Sequence, residues 1–414
     1  MPDKQTHDHI PALRFPEFAN DGEWGVKRLG EISTSFSGGT PSASNKDYYG
    51  GTIPFIRSGE INSDHTEIFL TQEGLDNSSA KMVEKGTILY ALYGATSGEV
   101  GIARLKGAIN QAILAIIPNE GFDSLFIYHY LKSQKESIVN HYLQGGQGNL
   151  SGAIINALMI PVPPFYEQRR IAACLSALEQ KLSATDGKLK QLKAYKKGLM
   201  QKLFPAKGKK LPELRFKEFE KDGEWEKKKL GEFLFEHKMK SDGRCQVYSV
   251  SVSKGVINQI EYLGRSFSAS DTSNYKLVKP YDIIYTKSPT GIFPFGIVKQ
   301  SFVNHNVIVS PLYGVFSPVN QYIGYIIHSY FESPERTNNY LAPIVQKGAK
   351  NTIQITNEIF LSQSVCFPSK FEEQRKIADC LTSIDNMINQ YTNEVALLEL
   401  YKKGLMQQMF PTSK

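Results

Sequence analysis

Phe165–Pro205 reads FYEQRRIAACLSALEQKLSATDGKLKQLKAYKKGLMQKLFP, and Phe371–Pro411 reads FEEQRKIADCLTSIDNMINQYTNEVALLELYKKGLMQQMFP. The two match without a gap at a shift of 206, and YKKGLMQ is identical in both. In the first copy Ile171, Leu175, Leu178, Leu182, Leu189, Leu192, Leu199 and Leu203 recur at alternating spacings of three and four, the period of a helix with one apolar seam. The second seam is Ile377, Leu381, Ile384, Ile388, Tyr391, Val395, Leu398, Leu405 and Met409, and Lys402 interrupts it where Lys196 interrupts the first. Sustained over about five heptads, this spacing favours two helices paired with each other over helices that cover separate domains. About 36 residues at about 1.5 Å rise make each roughly 54 Å long.

A second repeat precedes each helix. Pro11–Glu31 (PALRFPEFANDGEWGVKRLGE) matches Pro212–Glu232 (PELRFKEFEKDGEWEKKKLGE) at a shift of 201, while Gly25–Pro164 and Glu226–Lys370 scarcely align. Shared segments therefore alternate with divergent ones. The division predicted is a first head at residues 1–164, a helical spacer at 165–205, a second head at 206–370 and a second spacer at 371–414. The first head feeds the start of helix one and the linker Ala206–Leu211 opens the second head at its end, so the helices are expected to run antiparallel about an internal pseudo-two-fold. Within the heads, β-rich runs at Thr52–Arg57, Gly86–Tyr93, Val100–Leu105, Ala112–Ile117, Val247–Val252, Asp282–Thr286 and Asn306–Val309 are punctuated by Gly and Pro. One helix is expected near the end of each, at Ser124–Leu143 and Gln321–Tyr340. The fold class predicted is α+β: two mixed α/β heads joined by two long antiparallel coiled-coil helices.

At 414 residues with 41% hydrophobic and 21% charged residues, the chain has the composition of a two-domain globular protein. Cys174, Cys245, Cys366 and Cys380 form no CxxC pair, which fits a reducing compartment and offers no zinc spacing. No stretch approaches the roughly 20 apolar residues of a membrane span and no signal core opens the chain, so a cytoplasmic location without membrane contact is expected. A net charge of +7 is compatible with a polyanionic partner.

Catalytic signatures are missing. An Asn-Pro-Pro-aromatic run would let the Asn accept the hydrogens of a target adenine, but here the run is Val162-Pro163-Pro164-Phe165, and the second copy reads Phe367-Pro368-Ser369-Lys370. Valine has no acceptor, and the prolines suit a strand end turning into a helix. GxxxxGK[ST], HExxH and GxSxG are absent, and Gly145-Gly146-Gln147-Gly148 lacks the context of a nucleotide loop. His129 and His141 are read as structural. What the heads offer is donor-rich loops, suited to reading base edges and phosphates. The candidates are Ser37, Thr40, Arg57, Ser58, Tyr93, Thr96, Arg104, Lys106, Gln111, Gln147 and Asn149 in the first head. In the second they are Lys254, Arg265, Lys287, Ser288, Thr290, Lys299, Asn306, Lys347, Lys350 and Asn351.

The two GEW-x-x-x-x-LGE runs, GGTPSxxNxxYYGGxIPFIRSGEI at Gly38–Ile61, YGATSGEVGI at Tyr93–Ile102, INQAILAIIP at Ile109–Pro118 and both EQRxIAxxL helix starts resemble the specificity subunits of type I restriction-modification systems. Head two departs from this pattern with KSPTGIFPFGIV at Lys287–Val298. The resemblance implies a non-catalytic subunit whose heads each read half of an asymmetric, bipartite double-stranded DNA target. It also implies two methyltransferase subunits carrying S-adenosylmethionine and two restriction and translocation subunits carrying ATP and Mg, with no cofactor on this chain. Two other readings remain: a coiled-coil adaptor with protein-binding heads, and a fused methyltransferase or nuclease.

Overall fold

The computed structural model describes residues 9–143, 149–241, 243–265, 271–347 and 353–411. The chain divides into two compact units, Met1–Gly187 with Thr392–Lys414, and Lys188–Tyr391. The long helices run Phe165–Leu203 and Phe371–Met409, 39 residues each, and each contributes one part to either unit. Both start just after prolines and stop before Phe-Pro, where the proline cannot donate to the helical ladder.

In the first unit Glu179 meets Lys402 and Lys181 meets Glu394, so rising numbers on one helix face falling numbers on the other. In the second unit Lys196 meets Asp385, and Phe204 lies 6.5 Å from Phe367 just ahead of the second helix. Each pairing is antiparallel. Ile171 and Leu175 are buried in the first unit, and Leu189, Ile377, Leu381 and Ile384 in the second. Leu178, Leu182, Leu192, Leu199, Ile388, Val395, Leu398 and Leu405 are partly buried along the same seams.

The first head is built on a four-stranded antiparallel sheet in the order Ser33–Ser37, Ile113–Pro118, Ile88–Ala91, Val100–Ile102. A second sheet holds Phe69–Leu70, Tyr49–Ile56, Gly107–Ile109 and Lys81–Val83, with Tyr49–Ile56 parallel to Gly107–Ile109. The second head repeats the first of these sheets as Leu234–Glu236, Gly314–Pro318, Ile283–Tyr285, Val298–Gln300. Both heads close on a ribbon at their base, Gly25–Arg28 with Met159–Val162 and Lys227–Lys229 with Ser364–Cys366. The repeat thus extends into segments whose residues do not align. The single helices expected in each head are broken in two. Ser124–Ser133 stops at Gln134 before Lys135–Leu143, and Gln321–Phe331 gives way to Pro334–Leu341, whose Pro sits at the first helical turn behind a Ser333 cap.

The shared segments form the same mount twice. Arg14 donates Nε and Nη2 to the two carboxylate oxygens of Glu167, each at 2.7 Å, and Arg215 does so to Glu373 at 2.7 and 2.8 Å. The Leu13 N–H donates to the Gln408 carbonyl and the Leu214 N–H to that of Lys202, which ties each Pro-x-Leu-Arg-Phe segment to the closing turn of a long helix. Gln168 donates to the Pro163 carbonyl and accepts from the Asp123 N–H at the cap of the head helix. Gln374 donates to the Pro368 carbonyl and accepts from the side chain of Asn320, the corresponding cap. Phe410 packs edge-on against Phe126 and Tyr130, as Phe204 does against Tyr330.

The lysines that interrupt the seams belong to this mount. Lys402 is bonded to Glu179 of the facing helix, and Tyr128 of the head helix donates to the same carboxylate at 3.3 Å. Lys196 lies 2.7 Å from Asp385, which also accepts from Tyr325. Burial opposes ionisation of Glu179, but hydrogen bonds from Lys402 and Lys132 outweigh it and hold the carboxyl at about 2. Head-specific groups complete each cluster: Lys132 at 2.9 Å from Glu179, and Glu332 at 2.7 Å from Lys196.

Candidate nucleic-acid interface

In the first unit the strand Ser33–Ser37 runs out into a loop that lies against the strand Gly107–Ile109. A Cβ on Gly38 would stand 1.8 Å from the Ile109 carbonyl oxygen, so only glycine permits this approach. Thr40 then donates to Gln111 at 2.6 Å, bringing two of the predicted residues together on an exposed edge beside Ser37. Tyr93 and Thr96 lie on the loop between Ile88–Ala91 and Val100–Ile102, where the Leu150 N–H donates to the Leu92 carbonyl and sets Asn149 next to that loop. Gln147 lies outside the described residues.

Other candidates are engaged within the protein. Arg57, next to Ser58, holds Glu60 at 2.9 Å and Glu67 at 2.7 Å, and those hydrogen bonds raise its pKa further. Lys106 pairs with Glu84 at 2.7 Å, both exposed. Arg104 is exposed and acts on the carboxylate of Asp64.

In the second unit the strand Leu234–Glu236 corresponds to Ser33–Ser37, and the loop Lys287–Gly296 corresponds to that of Tyr93 and Thr96. Lys287 is half-buried, while Ser288 and Thr290 are exposed on a tight turn in which Thr290 and Phe293 exchange backbone hydrogen bonds. Lys254, Arg265 and Asn306 are exposed. Lys347 falls in the short strand Gln346–Lys347, and Lys350 and Asn351 lie outside the described residues. Lys299 departs from expectation. It is buried at 7% exposure with Nζ 3.6 Å from Glu332, so it serves the head–helix junction and cannot reach a duplex.

The sequence reading passed over Lys238, Lys240 and Lys276. Lys238 and Lys240 follow the strand Leu234–Glu236, and Lys240 stands opposite Lys276 in an antiparallel bridge. Lys238 and Lys240 alternate around Met239, a signal visible in the sequence, but nothing local announces the pairing with Lys276. His129 is fully buried, bonded to Ser176 at 3.0 Å, and burial lowers its pKa to about 4. Among the described residues no group of His, Cys, Asp or Glu is placed to hold a metal, and no helix is long and apolar enough to cross a membrane.

Two unlike loop-bearing heads, each seated on a duplicated mount of paired helices, define a two-headed scaffold. A family model for the type I restriction modification DNA specificity domain matches it twice, at residues 21–194 and 222–398. The chain belongs to this family. It is 31% identical over 163 residues to the type I restriction enzyme MjaIX specificity subunit of Methanocaldococcus jannaschii, covering 37% of each chain. It is 27% identical over 168 residues to the EcoR124I/EcoR124II specificity subunit of Escherichia coli, covering 38% of this chain and 42% of that one. The chain thus spans about two-fifths of the length of these relatives. With the MjaVIII specificity subunit of M. jannaschii it shares 24% identity across 97% of this chain and 94% of that one. Its fold is that of the type I restriction-modification S subunit from M. genitalium, at TM-score 0.65 and 16% identity over 98% and 100% of the two chains.

Proposed function

We propose that this chain is the non-catalytic DNA-reading subunit of a cytoplasmic type I restriction-modification enzyme. Each head reads one half of an asymmetric bipartite duplex target, and the helix pair sets the spacing and docks two methyltransferase subunits. Two restriction and translocation subunits complete the enzyme, and S-adenosylmethionine, ATP and Mg reside on the partners. The observation that carries the reading is the repetition of one mount and one four-stranded sheet beneath loops of unrelated sequence. A scaffold duplicated so closely has little reason to differ in its loops unless they read different things.

Ser37, Thr40, Gln111, Tyr93, Thr96 and Asn149 in the first head, and Lys287, Ser288, Thr290, Asn306 and Lys254 in the second, are the contacts proposed. Base-edge contacts confined to a head make the two half-site energies additive. Exchanging Gly25–Pro164 for the same stretch of a relative should therefore change one half of the methylated motif and leave the other intact. Mapping methylated adenines in host DNA decides it: an unaltered motif, or one altered in both halves, rejects the two-headed reading.

A further inference from the structure

We propose that Lys238, Lys240, Lys276 and Lys287 of the second unit form a clamp for a phosphodiester of the DNA backbone. The proposal rests on the DNA-reading function above and adds a site to it. Lys240 and Lys276 are directly opposed across an antiparallel bridge, flanked by hydrogen bonds from Leu277 N–H to the Met239 carbonyl (2.9 Å) and from Ser241 N–H to the Tyr275 carbonyl (2.8 Å). Like charges placed so are destabilising unless an anion lies between them. Among the described residues neither lysine bonds to a carboxylate. Lys240 donates to the Asn274 side chain at 2.9 Å, and Lys276 to the Tyr313 carbonyl at 2.6 Å.

Lys287 brings an independent observation. Its φ is 60°, in the left-handed region that a residue with a Cβ enters at a cost. Gly296, at φ 97°, packs so closely that a Cβ there would meet the Lys287 nitrogen at 2.7 Å, which holds the backbone in place. Strain of this kind persists where the surrounding structure holds it, and it clusters at functional sites. Burial lowers the pKa of both Lys276 and Lys287, and the charge of Lys238 lowers that of Lys276 further, as the charge of Lys276 does that of Lys287. The acid acting on both is Glu236, whose carboxylate already accepts from Asn357 at 2.6 Å. Among the described residues the lysines outnumber the carboxylate that acts on Lys276 and Lys287, a surplus that a phosphate oxyanion satisfies, and lysines bind phosphate as point charges. In the first unit Lys81 holds the place of Lys276, pairing with Ile109 as Lys276 does with Val309, but its Nζ lies over the Phe36 ring and the loop Gly38-Gly39-Thr40 supplies no lysine opposite it, so the clamp belongs to the second half-site.

The test uses the full chain assembled with its methyltransferase subunits, titrated against labelled cognate and scrambled duplexes across a range of salt. Lys240→Ala and Lys276→Ala should each reduce the slope of log affinity against log salt by about 1 and weaken both duplexes by the same factor. Lys221→Ala, on the exposed shared segment, should leave the slope unchanged. Lys287→Gly relieves the backbone while removing the cation, so it should raise the unfolding midpoint and yet weaken binding. Unchanged slopes in Lys240→Ala and Lys276→Ala, or losses restricted to the cognate duplex, overturn the clamp. A wild-type complex that ignores duplex sequence would instead overturn the reading on which it rests.

Discussion

Replacing Arg14 with alanine strikes the mount of the first unit at its most buried charge. Glu167 has no exposed side-chain surface and Arg14 only 7%, so truncation leaves a carboxylate that water cannot reach and no cation to neutralise it. Breaking a buried pair in this way costs about 3–5 kcal/mol, well beyond what the intact pair contributes over an apolar substitute. Arg14 also donates to the carbonyls of Asp21 and Gly22, at 2.6 and 3.0 Å, which lose their partner as well. Arg215→Ala should cost about 1 kcal/mol less. The reason is that Glu373 keeps a hydrogen bond from Trp225 Nε1 at 3.1 Å, whereas Trp24 Nε1 makes none. The chain has two tryptophans, Trp24 and Trp225, one in each unit. Urea unfolding followed by emission, with the other tryptophan changed to Phe, therefore reports each unit separately. With a slope of about 2 kcal/mol per molar, Arg14→Ala should lower the Trp24 midpoint by about 1.5–2.5 M. Arg14→Met with Glu167→Leu, which removes both charges, should recover most of the loss. A shift under about 0.5 M, or a double variant no more stable than the single one, would refute the burial argument.

Two further outcomes follow from the same unit. The folded chain holds His129 neutral with a pKa of about 4, while the unfolded chain takes up its proton near the ordinary 6.5. Stability is therefore complete above that value and falls by about 3 kcal/mol as the pH drops toward 4, a slope that His129→Gln should flatten in Trp24-detected unfolding. Tyr128→Phe, Lys132→Met, Glu179→Leu and Lys402→Met together exchange the polar cluster for apolar packing. The quadruple variant should keep its stability within about 1–2 kcal/mol, yet accept single mismatches more readily in the half-site read by the first head. Methyl transfer to oligonucleotides altered in one half-site or the other measures this, and equal relaxation in both would refute a role local to that head.

The repeated helices were legible because their apolar spacing is local and their second copy stands in the same sequence. Lys196 and Lys402 looked like interruptions for the same reason: a seam read along one strand of sequence cannot display Asp385 or Glu179 on the facing helix. The four-stranded sheet common to both heads was hidden, since burial asks only for apolar residues and Ile88–Ala91 and Ile283–Tyr285 meet that demand with different ones. Pro334 announced the break after Phe331, whereas the break at Gln134 carries no proline to mark it. Among the candidate contacts, Thr40 and Gln111 come together through a glycine approach that the Ser-Gly-Gly run hinted at. Lys299 misled because a lysine on a β-rich run reads as solvent-facing until Glu332 is placed beside it.

The mount asks little of the head it carries. Most of its polar groups, from Arg14, Glu167 and Gln168 to Glu179 and Lys402, lie on the repeated segments, and the head helix brings a capping residue and a tyrosine five positions later, Asp123 and Tyr128 or Asn320 and Tyr325. A newly acquired head therefore has a short list of entry requirements, and its loops can drift without disturbing how it is seated. On the proposed function, substitutions divide accordingly into two evolutionary currencies: those in the loops rewrite an address, and those in the repeats put at risk the ability to present any address.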